Sequence, residues 1–138
     1  MRASTNLKMR LVSGEKVILE MPLFASDWPK EQLEMELDAF EEYFDKFSKV
    51  FGALSNMTRI KMLRKLIDEK DRTMNFAGFI RDLDLNPKTV WEHSKKLTDV
   101  GFLNKTGRGN YKCSEFGEST FLTLSLVLRQ ILDILEEL

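Results

Sequence analysis

The sequence predicts a mainly α-helical chain with small β hairpins. Three observations carry that expectation. Apolar residues recur every three or four positions at Leu33, Leu37, Phe40, Phe44, Phe47, Phe51 and Leu54, and again at Phe121, Leu124, Leu128, Ile131, Leu135 and Leu138. Strand-like patterns with turn residues between them occur in two short places, LKMRLVSGEKVILEMP at 7–22 and FLNKTGRGNYKCS at 102–114. Helix-opening signals, a capping Asn or Asp followed closely by proline, stand at Asp27 with Pro29 and at Asn86 with Pro87.

The elements follow in order. Leu7, Met9 and Leu11 share one face of the first arm and Val17, Leu19 and Met21 one face of the second, with Ser13-Gly14 as the turn. A helix opens at Asp27 and Pro29 and keeps its period to Leu54. A second begins after Ser55-Asn56, turns Ile60, Leu63, Leu66 and Ile67 inward, and ends near the charged cluster DEKDR. A third, short helix covers roughly residues 76–83. The turn LDLN leads to a fourth, capped by Asn86 and ended by Gly101. FLNK and NYKCS then read as two strands joined by TGRG, with Arg108 at the tip, and a last helix runs over 115–138. Two helices joined by a tight turn and followed by a two-stranded loop make a winged helix-turn-helix. The expected division is therefore an N-terminal β-hairpin extension at 1–26, a dimerisation helix at 27–54, the winged domain at 55–114 and a C-terminal dimerisation helix at 115–138.

Composition bounds the function. With 138 residues, 43% hydrophobic and 31% charged, the chain suits one compact soluble domain. The run FLTLSLVL is far shorter than the roughly 20 residues needed to span a bilayer, and MRASTNLKMR has no apolar signal core, so a cytoplasmic protein without a membrane partner is expected. The single cysteine, Cys113, has no internal disulfide partner and fits a small buried apolar role. No nucleophile is paired with a base, no metal constellation is visible and no glycine-rich phosphate loop precedes a helix, so neither enzyme nor cofactor is expected.

The net charge of −1 hides a segregation. Residues 51–113 carry thirteen basic against seven acidic side chains, whereas 27–50 carry three against eight and 114–138 one against five. The basic segment is the winged one, and a local basic face binds phosphates whatever the total. On the helix from Pro87, a turn of about 100° per residue puts Val90, His93, Leu97 and Val100 on one side and Lys88, Trp91, Glu92 and Lys95 on the other. One side packs and the other is offered outward.

Three motifs in this stretch resemble a known family. ALSNMTRIKMLRKL at 53–66 is similar to the ALSNPTRLKIL opening of ArsR-type winged-helix regulators, with Met57 in place of proline. LNPKTVWEHSKKLTDVGFL resembles their LSPSTVSRHLKKLEEAGLV, and GRGNYKCSEFG resembles their wing and exit, RxGRxxYxLTxxG. The resemblance covers about residues 51–117 and leaves the first hairpin outside. It implies a homodimeric, sequence-selective regulator of transcription, most simply a repressor, that binds double-stranded DNA at an inverted repeat. The helix from Pro87 would lie in the major groove, with Lys88, Thr89, Trp91 and Lys95 outward. Asn86 and nearby backbone N–H groups would hold a phosphate, and Arg108 would enter a minor groove flanked by Lys105 and Lys112. The family's metal-sensing cysteine and histidine sets are missing, since the chain offers only Cys113 and His93, both at core-like positions. A structural His93 is the expectation.

Some departures leave alternatives open. Ser94 stands where leucine is usual, so Trp91 either meets base edges or leans into the space that serine leaves. Asp84 replaces the usual turn glycine, which Asp tolerates better than most residues. Glu92 and Asp99 share the outward face; Glu92 suits a cytosine N4 donor, archaeal-looking relatives carry Glu-His there too, and both acids also suit a winged helix used as a protein-interaction module. Dimerisation is expected through the two acidic helices, by Leu33, Leu37, Phe40, Phe44 and Phe47 in the first and Phe121, Leu124, Leu128, Ile131 and Leu135 in the last. The effector, if any, is not legible.

Overall fold

The structure is a computed structural model that describes residues 6–137. Residues 1–5 of the hairpin segment and Leu138 of the last seam lie outside the described residues. The chain divides into two compact units, one within residues 1–45 and one over Lys46–Glu137. Among the described residues no helix is long and apolar enough to cross a membrane.

The first unit opens with the hairpin, β1 (Lys8–Ser13) and β2 (Lys16–Pro22), paired antiparallel. Ser13 pairs with Lys16, so the turn is Gly14-Glu15, one residue later than Ser13-Gly14. Met9 opposes Met21 and Leu11 opposes Leu19, as alternation requires; a bulge then sets Val17 opposite Val12, on the other face from Leu19. Lys8 and Arg10 on that second face both reach Glu20, at 3.2 and 2.6 Å. Trp28 donates its indole N–H to the Pro22 carbonyl at 2.9 Å and ties the exit of β2 to the chain that follows.

The long helix expected from Asp27 to Leu54 is two helices. Asp27 ends a 3-10 turn, Pro29 is the N-cap, and α1 runs Lys30–Glu42; Tyr43, with ψ of 11°, breaks the ladder before α2 (Phe44–Ala53). The charge pattern accounts for the break. Glu41 and Glu42 crowd the C-terminal end of α1, where the helix dipole disfavours anions, while Asp45 suits the first turn of a new helix. The apolar period survives across Tyr43, but the helix does not.

The second unit holds the winged fold. α3 (Met57–Asp68) is capped by Asn56, whose side chain accepts from Arg59 N–H, and α4 (Phe76–Leu83) is capped by Asn75 in the same way. α5 (Pro87–Asp99) follows a turn in which Asp84 is left-handed, with φ of 52° and ψ of 51°. The three-stranded antiparallel sheet has the order β3-β5-β4, with β4 at Leu103–Lys105 and β5 at Asn110–Cys113. Its third strand, β3 (Thr73–Asn75), is too short to announce itself in sequence and exists by pairing with β5. α6 (Glu115–Leu122) continues through a π-helical turn at Thr123–Val127 into α7 (Leu128–Glu137).

The core of this unit gathers Val50 and Ala53 from α2, Met62, Leu63 and Leu66 from α3, Phe79 from α4, Val90 and Leu97 from α5, and Phe102, Leu103, Tyr111 and Cys113 from the wing strands and their approach. Burial and the Glu118 carboxylate push the Cys113 thiol up to about 11, so it stays protonated and serves as an apolar filler, as expected. Phe121, expected on an intermolecular seam, is 8% exposed and belongs to this core. Gly117 lets α6 approach it: a Cβ there would stand 2.5 Å from the Phe102 carbonyl oxygen.

Candidate nucleic-acid interface

The outward side of α5 is built by its own cap and period. Asn86 accepts the Thr89 N–H at 2.8 Å on its side chain and the Val90 N–H at 3.1 Å on its carbonyl. Pro87 has no N–H. Of the first helical donors, Lys88 N–H is left to point out of the helix end, so the anion-accepting capacity of this terminus is one amide, and Asn86 itself acts as the cap. Val90 and Leu97 are fully buried, Lys88, Trp91, Glu92 and Lys95 are exposed, and Thr89 is intermediate.

Each outward lysine has an acid one turn on. Lys88 lies 3.9 Å from Glu92 and Lys95 lies 3.0 Å from Asp99, both in the i,i+4 geometry that solvated helix faces use. The face is thus less positive than its lysines alone suggest. The wing restores the balance: Gly107 and Gly109, with φ of 69° and 71°, take the left-handed conformations that hold Arg108 at the apex, exposed and without a carboxylate partner among the described residues.

The two wing lysines separate. Leu103 pairs with Cys113, Asn104 with Lys112 and Lys105 with Tyr111, so by the two-residue period Lys105 shares the face of Tyr111, and Lys112 shares the opposite face with Asn104. Lys105 Nζ lies 6.0 Å from the centre of the Tyr111 ring, and with Trp91, Lys95, Thr98, Asp99 and Tyr111 it lines a slot of about 200 Å³ between α5 and the wing. Lys112 instead borders a cleft with Arg72, Glu115 and Glu118. Of the two lysines expected beside Arg108, only Lys105 lines the slot with α5.

Trp91 is 55% exposed and lines that slot. Ser94, three residues on, is buried, 1% exposed, and its hydroxyl has no hydrogen-bond partner among the described residues. His93 is half-buried on the packed side and bonded to Arg59, as a structural histidine should be. Arg59 itself was hidden in the sequence reading, although it lies at i, with Met62, Leu63 and Leu66 at i+3, i+4 and i+7, on the inner stripe of α3.

No family model matches the chain, and no curated protein does. Solved structures do. HlyU from Vibrio cholerae N16961 is similar with a TM-score of 0.53 at 19% identity, over 63% of this chain and 96% of its own. An ArsR family transcriptional regulator is similar with a TM-score of 0.50 at 19% identity, over 65% of this chain and 92% of its own. The fold shared with these two structures is a winged helix. In that winged helix α4 and α5 are the helix-turn-helix, with α5 its second helix, and β4 and β5 are the wing.

Proposed function

We propose that this protein is a sequence-selective binder of double-stranded DNA that regulates transcription, acting as a homodimer on an inverted repeat and repressing by occupying promoter DNA. The observation that carries the reading is the slot in which Trp91 and Lys95 of α5 meet Lys105 of the wing, with Lys88 exposed on the same helix and Arg108 exposed at the wing's apex. A helix of this kind enters the major groove, its cations neutralise flanking phosphates, and a half-exposed aromatic ring suits thymine methyls or a sugar face. One of the two similar structures is an ArsR family transcriptional regulator.

Dimerisation is proposed through the exposed apolar residues of the terminal helices. Leu37, Phe40 and Phe44 are exposed on the first pair of helices, and Leu128, Leu132 and Leu135 on α7, and clustered apolar side chains left to solvent favour a partner that covers them. Leu33 and Phe47, and Leu124 and Ile131, are half-buried beside them. Two-fold pairing would set two α5 helices about one DNA turn, roughly 34 Å, or a multiple apart.

Selection of bound sequences from a random duplex pool tests the reading. An enriched inverted repeat is the expected result, and Leu128→Glu should sediment as a folded monomer with most of that affinity lost. The pairing of Lys88 with Glu92 and Lys95 with Asp99 favours one competitor, a winged helix that docks a protein partner. A pool that enriches nothing, at low salt, would transfer the function to that competitor.

A further inference from the structure

Arg59 is 7% exposed, and every side of its guanidinium is used. Its Nε donates to the Ala53 carbonyl at 2.7 Å and its Nη2 to the Gly52 carbonyl at 3.0 Å, so a side chain of α3 caps the C-terminal end of α2. Its Nη1 lies 3.0 Å from Nδ1 of His93 on α5. A guanidinium has donors only, so this contact requires Nδ1 to offer a lone pair, with the ring neutral and its proton on Nε2. One cation therefore joins α2, α3 and α5, and its hold on α5 exists only while His93 is unprotonated.

The charged groups acting on the ring are Arg59 from α3 and Glu92 and Lys96 from α5; α2 presents backbone carbonyls, and presents them to Arg59. Burial first, and then the Arg59 charge, hold His93 below the ordinary histidine value, with Lys96 acting in the same direction and Glu92 opposing.

We propose that Arg59 and His93 are positioning residues for α5 and act as a proton-sensitive clamp: a proton added at Nδ1 replaces a hydrogen bond by two like charges in contact, loosens α5 from α3 and the end of α2, and weakens duplex binding. The last step rests on the proposed function. The sign is distinctive. A histidine kept neutral by the fold contributes stability above its ordinary value of 6.5, and that contribution is lost as the pH falls from there through the lower folded value. Simple electrostatics runs the other way, because acidification removes carboxylate charge and should strengthen attraction to a polyanion. His93 is the chain's one histidine, so its ring signals need no assignment and few other side chains titrate in the same range.

The test uses the full chain, with ring nitrogen NMR of the free protein and fluorescence anisotropy of a short mixed-sequence duplex at low salt. The ring should show the Nε2–H tautomer and a titration midpoint below 6.5 that rises in Arg59→Met. Wild-type affinity should fall about fivefold between about pH 7.5 and about pH 5.5, a modest coupling between sites. His93→Gln, whose amide oxygen accepts from Arg59 without titrating, should bind with little change over that range. A midpoint at or above 6.5, an Nδ1–H tautomer, wild-type affinity that rises on acidification, or a His93→Gln protein that loses affinity in parallel with wild type would each overturn the clamp. If no duplex binds at any pH, the proposed function and the last step fail together, whereas the ring titration still judges the Arg59–His93 contact by itself.

Discussion

Replacing Arg108 by alanine should flatten the salt dependence of duplex binding, and replacing Lys112 should not. A cation that neutralises a phosphate releases a condensed counterion, so log K falls against log salt with a slope of about −0.9 for each phosphate neutralised. Each protomer offers Lys95 and Lys105 at the slot between α5 and the wing, Lys88 exposed on α5 and Arg108 exposed at the wing's apex. If a dimer used all of them, the limiting slope would be about −7. Lys88 and Lys95 already face Glu92 and Asp99, so the observed slope should be shallower than that limit. Arg108 has no such carboxylate among the described residues, and its loss from both protomers should remove about 1.8 from the slope. Lys112 stands on the other face of the sheet, bordering a cleft that Glu115 and Glu118 also line, and Lys112→Ala should change the slope by less than about 0.5. Anisotropy titrations of one labelled duplex over about 50 to 200 mM salt resolve such differences. Equal effects of the two substitutions would refute the separation of the wing's faces, and a slope near zero for wild type would refute phosphate contact altogether.

Three further outcomes follow from packing. Trp91→Ala should erase preference at particular base pairs while shifting stability by less than about 0.5 kcal/mol, since the ring stands outside the core; selection from the duplex pool and urea denaturation read the two effects. Ser94→Ala should stabilise by about 1 kcal/mol, because it removes a buried hydroxyl that has no partner, and a higher thermal midpoint is the check. Gly117→Ala should destabilise by about 2 kcal/mol or more, because the new Cβ meets Phe102 backbone atoms that cannot step aside; an unchanged urea midpoint would show that α6 can slide outward.

Much of the winged fold was legible because its signals are local. Asn86, Pro87 and Gly101 bracket α5 by capping chemistry alone, Asp84 tolerates its left-handed turn, and TGRG places Arg108 at an apex. What escaped depends on partners distant in sequence. β3 is three residues that become a strand only beside β5. The faces of Lys105 and Lys112 follow from register with Leu103, Asn104 and Tyr111, which no composition reveals. Arg59 sat on the apolar stripe of α3, a signal in plain view, yet its purpose depended on two carbonyls of α2 and a ring on α5. The break at Tyr43 escaped because the apolar period runs through it unchanged and only the acidic pair before it marks the end.

The last helix shows why an apolar period does not by itself define an interface. Phe121, Leu124, Leu128, Ile131 and Leu135 keep one spacing, but the π-helical turn at Thr123–Val127 inserts about one extra residue into the ladder and turns everything after it by about 100°. The turn divides the seam between two tasks. Phe121, before it, is buried in the protomer's core, whereas Leu128, after it, is 62% exposed. On α7 the exposed apolar residues are Leu128, Leu132, Ile134 and Leu135, so Leu132 and Ile134, which the uninterrupted period left off the seam, join it. The same bend separates the chemistry of the two ends. Gly117 and Phe121 fasten α6 against the wing approach at Phe102 and the core, and α7 carries its leucines clear of that core. A charge placed at Leu128 therefore meets water in a monomer and a second apolar stripe in a dimer, which is why that position, and not Phe121, separates association from folding.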